Sequence, residues 1–377
     1  MDTAAVVVLF WLPVGLFCYH WLVFPLLLWL FSRKARDTPS SVLDPLPRVT
    51  IAVAVRNEER LLEGKIRNCL RMDYPADKLE ILFGSDASTD ATDRILGGVG
   101  DPRVSWFRLQ ERGGKTRVLN ELLSRATGDL VLVTDADILL DAAAVRLLVR
   151  WFASPDVGIV QAHYRRVNTD GSPAEGLFDR WETAVKRLEG RIGALPTVNG
   201  MGAMLRRDLW TEMPTDTIHD DLLMGLRLLK AGYRAIYDPD AVATCQVETE
   251  STEFRRRVKM GRGNMQALCR NAGLLSPKHG CKAWTYLSHK VIRSLLPFCL
   301  PLMLAGCAVG FSSSLYVVLL GVQLLCYATI PLLLMRTVFG PVLLPQYFLF
   351  MNIALLAGNL SYIFGFRPRH WERTQRS

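Results

Sequence analysis

The sequence predicts an α/β domain with a Rossmann-like, mostly parallel sheet, held between transmembrane helices at both ends of the chain. Two observations support the domain: short β-branched runs alternate with helical stretches, and several of these runs end on acidic or polar turns. One observation supports the membrane segments: half of the residues are hydrophobic, and the longest apolar runs lie near the two ends.

Four apolar runs in the middle of the chain predict strands, and the stretches between them predict helices. Ligands bind parallel sheets at the carboxyl ends of the strands. The turns RNEE, SDASTD and TDAD all follow strand ends, so we expect their side chains to converge on one edge. The predicted strands are RVTIAVAV from Arg48, LEILFGS from Leu79, VSWFRL from Val104 and DLVLVTDAD from Asp129, with helices at 60–72, 90–96 and 116–126.

The N-terminal apolar segment, Val6–Phe31, contains no formal charge. Its length of about 26 residues is enough to cross a bilayer with some tilt. Arg33, Lys34 and Arg36 follow it, and the positive-inside rule places such residues on the cytoplasmic side. The sequence therefore predicts an integral protein of the inner or plasma membrane whose α/β domain faces the cytoplasm.

The C-terminal part contains three more predicted crossings, Leu295–Gly310, Leu315–Met335 and Val342–Phe364. The segment before them mixes basic and aromatic residues, which is typical of an amphipathic helix at the membrane surface and equally of the start of the next crossing. One crossing before the domain and three after it would leave the tail outside. The basic charge of that tail favours the inside, so its side stays open.

Six segments follow from these boundaries, each of which falls where the chain changes between apolar and polar composition. They are a transmembrane helix (1–32), a basic, proline-containing linker (33–48), the α/β domain (49–271), an interfacial segment (272–294), three transmembrane helices (295–364) and a basic tail (365–377).

Charge and cysteine content narrow the class of protein. A net charge of +9 with 50% hydrophobic residues is more typical of a membrane protein than of a nucleic-acid binder, and we expect no nucleic-acid partner. The eight cysteines include no C-x-x-C pair, which argues against a zinc ribbon and against a disulfide framework.

Two carboxylates, Asp135 and Asp137, end the last predicted strand. Side chains two residues apart on extended backbone point the same way, so both can face one ligand. Carboxylates hold Mg²⁺ or Mn²⁺ against substrate phosphates, and such a metal neutralises charge on a leaving diphosphate. A polar loop would also place aspartates here, but the position at the end of an apolar strand favours a metal site.

Two other turns are candidates for nucleotide contacts. In SDASTDAT, Asp86 can accept hydrogen bonds from a base or ribose, although Ser88 or Thr89 could simply cap a short helix there. In RGGKTRVLNELL, Lys115 follows two glycines at a helix start, where an ammonium and backbone N–H groups favour a phosphate. A flexible turn with a solvated lysine is the alternative.

Acidic and basic residues later in the domain complete the candidates. Asp220 and Asp221 precede an amphipathic helix, and two adjacent aspartates exceed what an N-cap requires. A carboxylate near an acceptor hydroxyl can act as a general base. A basic stretch follows that can grip a diphosphate or face anionic lipid; it contains Arg255, Arg256, Arg257, Lys259 and Arg262.

Taken in order, these motifs resemble the family 2 glycosyltransferases of the GT-A type, which include cellulose, chitin and hyaluronan synthases and ceramide glucosyltransferases. The resemblance covers about Val49 to Gln266, and the order of the motifs is more specific than any one of them. The matching segments are VAVRNEE, SDASTDAT, GGKTRVLNEL, TDAD, VNGMGAMLRRDLW and HDDLLMGLRLLKAGYR.

The resemblance implies a GT-A fold and a role for each matching residue. Asp221 would be the catalytic base with Asp220 as its acidic neighbour, and Asp137 and Asp135 would hold Mg²⁺ or Mn²⁺. The residues implied to bind the nucleotide-sugar are Val55, Arg56, Glu58, Asp86, Lys115, Asp135 and Asp137; Gly200, Met201 and Gly202 would bind the acceptor, and Arg256 and Lys259 the diphosphate.

The implied activity is an inverting, metal-dependent transfer of a hexose from a nucleotide-sugar to a lipid, lipid-linked or polysaccharide acceptor at the cytoplasmic membrane face. We expect a UDP-sugar as donor and membrane lipids as surroundings. Processive members carry Q-x-x-R-W where this chain has Arg256, Lys259 and Met260, so single addition is favoured. The alternatives are a processive exopolysaccharide synthase coupled to export, and a non-catalytic membrane scaffold that binds a nucleotide-sugar.

Overall fold

A computed structural model describes residues 3–35, 39, 43–168, 170–246, 250–328 and 344–365. The middle of the chain forms one eight-stranded sheet within these residues. Its strands are β1 (Val49–Val55), β2 (Leu79–Ser85), β3 (Val104–Arg108), β4 (Leu130–Asp135), β5 (Leu139–Leu140), β6 (Val157–Val167), β7 (Ala203–Arg206) and β8 (Arg234–Gln246).

The spatial order of the strands is β3-β2-β1-β4-β7-β6-β8-β5. The four strands predicted from the sequence are mutually parallel. In the second half of the sheet, β7 runs antiparallel to β4 and β6, β5 runs antiparallel to β8, and β6 and β8 are parallel. The sheet is therefore mixed but mostly parallel, which confirms the predicted Rossmann-like class.

Helices pack on both faces of this sheet, and further apolar helices lie outside the α/β domain. They are α1 (Ala4–Ser32), α2 (Leu62–Leu70), α3 (Thr92–Gly97), α4 (Lys115–Arg125), α5 (Ala144–Val149), α6 (Leu177–Arg191), α7 (Asp220–Lys230), α8 (Glu250–Asn271), α9 (Cys281–Val309), α10 (Ser314–Ala328) and α11 (Leu344–Ile363). The predicted helices correspond to α2, α3 and α4, with ends that agree to within two residues.

The alternation of side chains along β1 divides the hydrophobic core in two. Ile51 and Val53 pack on one face with Ile66 of α2, whereas Ala52 packs on the other face with Val118 of α4. All seven residues of β1 are buried, because a strand covered on both faces has no side exposed to water. Because β1, β2 and β4 run parallel, their carboxyl ends lie at one edge of the sheet.

The helices α1 and α9 are each long and apolar enough to cross a membrane, by length and composition alone. The predicted interfacial segment is continuous with the following crossing from Cys281 onward, because α9 is a single helix. The other two predicted crossings contain shorter apolar helices, Ser314–Ala328 and Phe348–Ile363. Met335, Val342 and the tail after Gly365 lie outside the described residues.

Helix α6 joins the α/β domain to the apolar helices. The ring centroids of its Trp181 and of Trp21 on α1 are 4.6 Å apart. Its Glu182 accepts a hydrogen bond from Arg293 of α9 at 2.6 Å. The domain is therefore packed directly against both long apolar helices, which fixes the orientation of the site relative to them.

Candidate active site

The turns after β1 and β2 are hydrogen-bonded to each other. The Asn57 carboxamide oxygen accepts the backbone N–H of Thr89 at 2.8 Å, and the Thr92 hydroxyl accepts the backbone N–H of Glu58 at 2.8 Å. The two turns predicted to contact the nucleotide-sugar therefore form one surface at the edge of the sheet.

Val55, the last residue of β1, and Arg56, which follows it, can contribute different groups to a ligand site. The side chain of Val55 is in the core, and its carbonyl accepts the backbone N–H of Asp86 at 3.0 Å, so Val55 can border the site only through its backbone. Arg56 has a buried Nε atom with no hydrogen-bond partner among the described residues. A buried donor of this kind fits a nearby anionic group such as a phosphate.

Asp86 is fully buried beneath the glycine turn that precedes α4. Its carboxylate accepts the backbone N–H of Gly113 at 2.7 Å and that of Gly114 at 3.1 Å. Gly114 has a φ of +83°, a conformation that favours glycine. Asp86 thus positions the turn that carries Lys115, a contact that the sequence did not reveal. Its direct contact with a nucleoside stays a prediction.

Lys115 lies at the centre of the site. Its ammonium is 2.8 Å from Asp135 Oδ1 and 3.5 Å from Asp220 Oδ2. Burial of the ammonium lowers the pKa of Lys115, but the charges of Asp135, Asp220 and Asp221 outweigh burial and raise that pKa well above its usual value. Lys115 is therefore a permanent cation that joins the TDAD turn to the start of α7.

Asp221 is held at the first turn of α7 by three neighbours. Its Oδ2 accepts the backbone N–H of Gly200 at 2.9 Å, its Oδ1 accepts the backbone N–H of Leu222 at 2.9 Å, and His219 Nε2 lies 3.1 Å from Oδ1. Burial raises the pKa of Asp221, yet His219, Lys115 and the two N–H groups together hold it below its usual value. At neutral pH the group is a carboxylate.

The three residues predicted to bind the acceptor have different surroundings. A Cβ on Gly200 would lie 3.2 Å from Lys115 Nζ and 3.5 Å from both Asp135 carboxylate oxygens, so Gly200 faces the site. Gly202 has a φ of +140°, and a Cβ there would meet apolar side chains of the core. Met201 also packs against that core. An acceptor contact is supported by position for Gly200, and it remains only a prediction for Met201 and Gly202.

Asp137 lies at the same edge as Asp135, on the side that faces β8. The Cys245 thiol donates to Asp137 Oδ2 at 3.6 Å. No group of three or more His, Cys, Asp or Glu side chains that could hold a metal occurs among the described residues. Two partly exposed carboxylates nevertheless fit Mg²⁺ or Mn²⁺, which bind through one or two carboxylates and complete their coordination with water and substrate phosphates.

The basic helix α8 lies over the loop that leads to Asp221. Burial lowers the pKa of Lys259, and the charges of Asp220, Asp221 and Asp135 act to raise it, so its ammonium lies near these three carboxylates. Arg256 lies near Tyr164: burial raises the pKa of Tyr164, and the charge of Arg256 lowers it by a smaller amount.

Gln266, also on α8, is a positioning residue that the sequence reasoning missed. Its carboxamide accepts the backbone N–H of Ile218 at 2.9 Å and donates to the carbonyl of Asp216 at 3.0 Å. It therefore holds the loop that precedes the two aspartates of α7. The signal in the sequence is the spacing: residues 259 and 266 are two helical turns apart and share one face.

A family model described as glycosyltransferase like family 2 matches residues 47–265, which is more than half of the chain and includes every predicted site residue. The chain belongs to this family. The resemblance seen in the order of the motifs is thereby confirmed, and so is the family's GT-A fold as the class of the domain.

A comparison with curated proteins finds relatives of this chain, and two of them are named as synthases. The β-monoglucosyldiacylglycerol synthase of Synechocystis sp. is 33% identical over 200 residues, which are 49% of this chain and 40% of that protein. The poly-β-1,6-N-acetyl-D-glucosamine synthase of Staphylococcus aureus is 28% identical over 256 residues, 64% of this chain and 61% of that protein. The chain thus spans about half the length of these relatives.

A solved structure extends the likeness of fold beyond the family 2 domain. A mannosyltransferase from Pyrobaculum calidifontis, solved in complex with GDP-Man and Mn²⁺, superposes with a TM-score of 0.70 at 24% identity. The match covers 93% of this chain and 98% of that chain. The shared fold therefore includes the apolar helices as well as the sheet.

Proposed function

We propose that this family 2 member is an inverting glycosyltransferase that moves a sugar from a nucleoside-diphosphate sugar to an acceptor hydroxyl. The main support for the proposal is that a carboxylate and an ammonium lie close together at this edge of the sheet. One is Asp221, a largely but not fully buried carboxylate that is ionised at neutral pH. The other is Lys115, a cation held between Asp135 and Asp220.

The proposed chemistry is a single displacement. Asp221 takes the proton of the acceptor hydroxyl while the acceptor oxygen forms its bond to the anomeric carbon. The bond from that carbon to the diphosphate breaks, and the nucleoside diphosphate leaves with the electron pair. Lys115 stabilises the charge that develops on the leaving phosphate. Because one base and no nucleophilic carboxylate are used, the anomeric configuration inverts, unlike the two-step reaction of retaining glycosidases.

Asp137 and Asp135 would hold Mg²⁺ or Mn²⁺, with Asp137 as the main ligand because Asp135 is committed to Lys115 at 2.8 Å. A metal at this place supplies charge neutralisation for the leaving diphosphate. The Mn²⁺ and GDP-Man of the mannosyltransferase structure support both the metal and the class of donor. The base of the donor nucleotide is expected to be uracil.

The acceptor is proposed to be a glycolipid or a glycan reached at the cytoplasmic membrane face. The names of the two curated relatives support these two classes, one being a glycolipid synthase and the other a polysaccharide synthase. The exposed apolar side chains of α1 support contact with lipid, since Leu22 is 68% and Phe31 63% exposed. Residues packed in a protein core would not show such exposure.

Processive polysaccharide synthesis is the second candidate, favoured by the likeness to the poly-β-1,6-N-acetyl-D-glucosamine synthase. Met260 in place of the processive members' tryptophan favours single addition instead. Product length separates the two: one added sugar supports the first proposal, and a ladder of products supports the second.

A panel of UDP- and GDP-sugars tests the proposed activity. The full-length protein in lipid vesicles should release nucleoside diphosphate from one donor, and only with Mg²⁺ or Mn²⁺ present. Release that survives a chelator would contradict the metal dependence. If no donor is consumed by a protein that still binds nucleotide, the chain is the non-catalytic scaffold instead.

The neighbour of the base gives a pH-dependent prediction. Because His219 helps to hold the pKa of Asp221 below its usual value, His219→Ala should raise that pKa. Activity that requires ionised Asp221 is present above this pKa and lost as pH falls through it. The acid limb of the kcat/KM profile should therefore move to higher pH in the variant. An acid limb that stays in place or moves to lower pH would contradict the His219–Asp221 coupling.

A further inference from the structure

A fully buried lysine lies behind the two aspartates of the TDAD turn. The ammonium of Lys65, on α2, donates to the Thr134 hydroxyl at 3.0 Å and to the Ile138 carbonyl at 2.7 Å. Thr134 directly precedes Asp135, and Ile138 directly follows Asp137. The two hydrogen bonds from Lys65 therefore hold the acidic turn, residues 134–138, at both of its ends.

Asn68, one helical turn further along α2, continues this contact. Its carboxamide donates to the Leu140 carbonyl at 2.8 Å and accepts the Leu140 N–H at 3.0 Å. Residues three apart on a helix share a face, so one face of α2 makes all of these contacts with residues 134–140.

Helix α2 begins beside the turn after β1, which is proposed to bind the nucleotide. The backbone N–H of Leu62 donates to the Glu58 carbonyl at 3.0 Å, and Glu58 follows Arg56 in the turn after β1. Helix α2 therefore connects the turn proposed to bind the nucleotide with the turn proposed to bind the metal, through rigid backbone rather than through a loop.

The burial of the Lys65 side chain indicates that this residue has a role besides packing. An apolar side chain would avoid the cost of desolvating an ammonium. Burial lowers the pKa of Lys65, while Cys69 and, after it, the charges of Asp135 and Asp137 act to raise it. The ammonium keeps two hydrogen-bond acceptors in the protein interior, the Thr134 hydroxyl and the Ile138 carbonyl, and both belong to the acidic turn.

We propose that Lys65 and Asn68 are positioning residues that hold the Asp135–Asp137 turn in the geometry a divalent metal and a diphosphate require. The proposal rests on the proposed metal-dependent function of this edge of the sheet. Neither residue touches the substrate; both act through the backbone and hydroxyl atoms that flank the two carboxylates.

Charge and positioning have opposite consequences for metal binding. A cation behind the carboxylates repels a bound metal, so removal of the Lys65 charge alone would tighten metal binding. Loss of positioning would weaken it, because partners outside the ligand set typically contribute a factor of about 10 to 100 in metal affinity. The sign of the change therefore separates the two roles.

The test measures Mn²⁺ binding by the full-length protein. Binding is detected by electron paramagnetic resonance in the presence of UDP and, in a parallel series, of GDP. Lys65→Met should raise the dissociation constant of Mn²⁺ about tenfold. Thr134→Val, which removes one of the two acceptors with little change of shape, should raise it about threefold.

A matched control is Lys78→Met. The Lys78 ammonium also donates to a backbone carbonyl, that of Leu46, at 2.7 Å, but far from the acidic turn, so Mn²⁺ affinity should not change. Affinity that is unchanged or tighter in both Lys65→Met and Thr134→Val would overturn the proposal. Absence of Mn²⁺ binding by the unmodified protein would contradict the proposed metal dependence itself, and the positioning role with it.

Discussion

Asp221→Asn should lower the rate of sugar transfer by about a thousandfold, since general-base catalysis typically contributes 10² to 10⁴. Asparagine keeps the size of the side chain and an oxygen for the Gly200 N–H, which Asp221 accepts at 2.9 Å, but it cannot take a proton. Binding of the nucleotide-sugar should be unchanged, because Asp221 is assigned to the acceptor side. The measurements are product formation at saturating donor and calorimetric binding of the nucleotide.

The neighbouring Asp220→Asn is the matched control. Asp220 is 3.5 Å from the Lys115 ammonium, so its loss should weaken the hold on Lys115 and reduce activity by a smaller factor. An Asp221→Asn protein that retains near-normal turnover would contradict the assignment of the base. Loss of activity in Asp220→Asn, with activity retained in Asp221→Asn, would contradict that assignment as well.

Asp137→Ala should abolish the metal-dependent part of nucleotide binding, the second large effect that we expect. A carboxylate is the ligand a hard divalent cation requires, and Asp135 is already engaged with Lys115 at 2.8 Å. Titration of Mn²⁺ into the protein with nucleoside diphosphate measures this directly. The variant should show affinity for nucleotide that no longer depends on Mn²⁺.

An exposed aspartate four residues along the chain, Asp141, is the control for Asp137. Asp141→Ala should leave the Mn²⁺ titration as it is in the unmodified protein, since Asp141 lies beyond β5 at the surface. A normal titration in Asp137→Ala would reject Asp137 as the metal ligand.

The first half of the sheet could be predicted because each strand is an apolar run that ends on a polar turn. In β1 all seven residues are buried, and in β4 the apolar part ends where Asp135 begins. The strands of the second half carry no such signal. The outer part of β6 is polar, β7 has only four residues, and its antiparallel pairing depends on contacts distant in sequence.

The candidate site was predicted in part for the same reason. Carboxyl ends of parallel strands converge on one edge, so the proximity of Lys115 and Asp135 follows from the fold class. That of Asp220 does not, because it comes after the antiparallel strand β7 and a long loop. The burial of Asp86 beneath the glycine turn does not follow, because an aspartate after a strand is usually in a polar turn exposed to water.

Lys65 illustrates the limit of the pattern most clearly. A lysine on a short helix is normally a solvated residue. Its neighbours Leu62, Ile66 and Cys69 form the buried stripe of α2, and residue 65 lies on that stripe by helical spacing. The position therefore indicated burial, but only the structure shows the acceptors that allow it.

The anomeric configuration of the product reports directly on the proposed displacement. The claim is that a single base, Asp221, drives one displacement at the anomeric carbon. With the α-linked donor that the panel identifies, the new glycosidic bond should be β, as read from one-bond carbon–proton coupling at the anomeric position. An α-linked product would show retention of configuration and would contradict the mechanism.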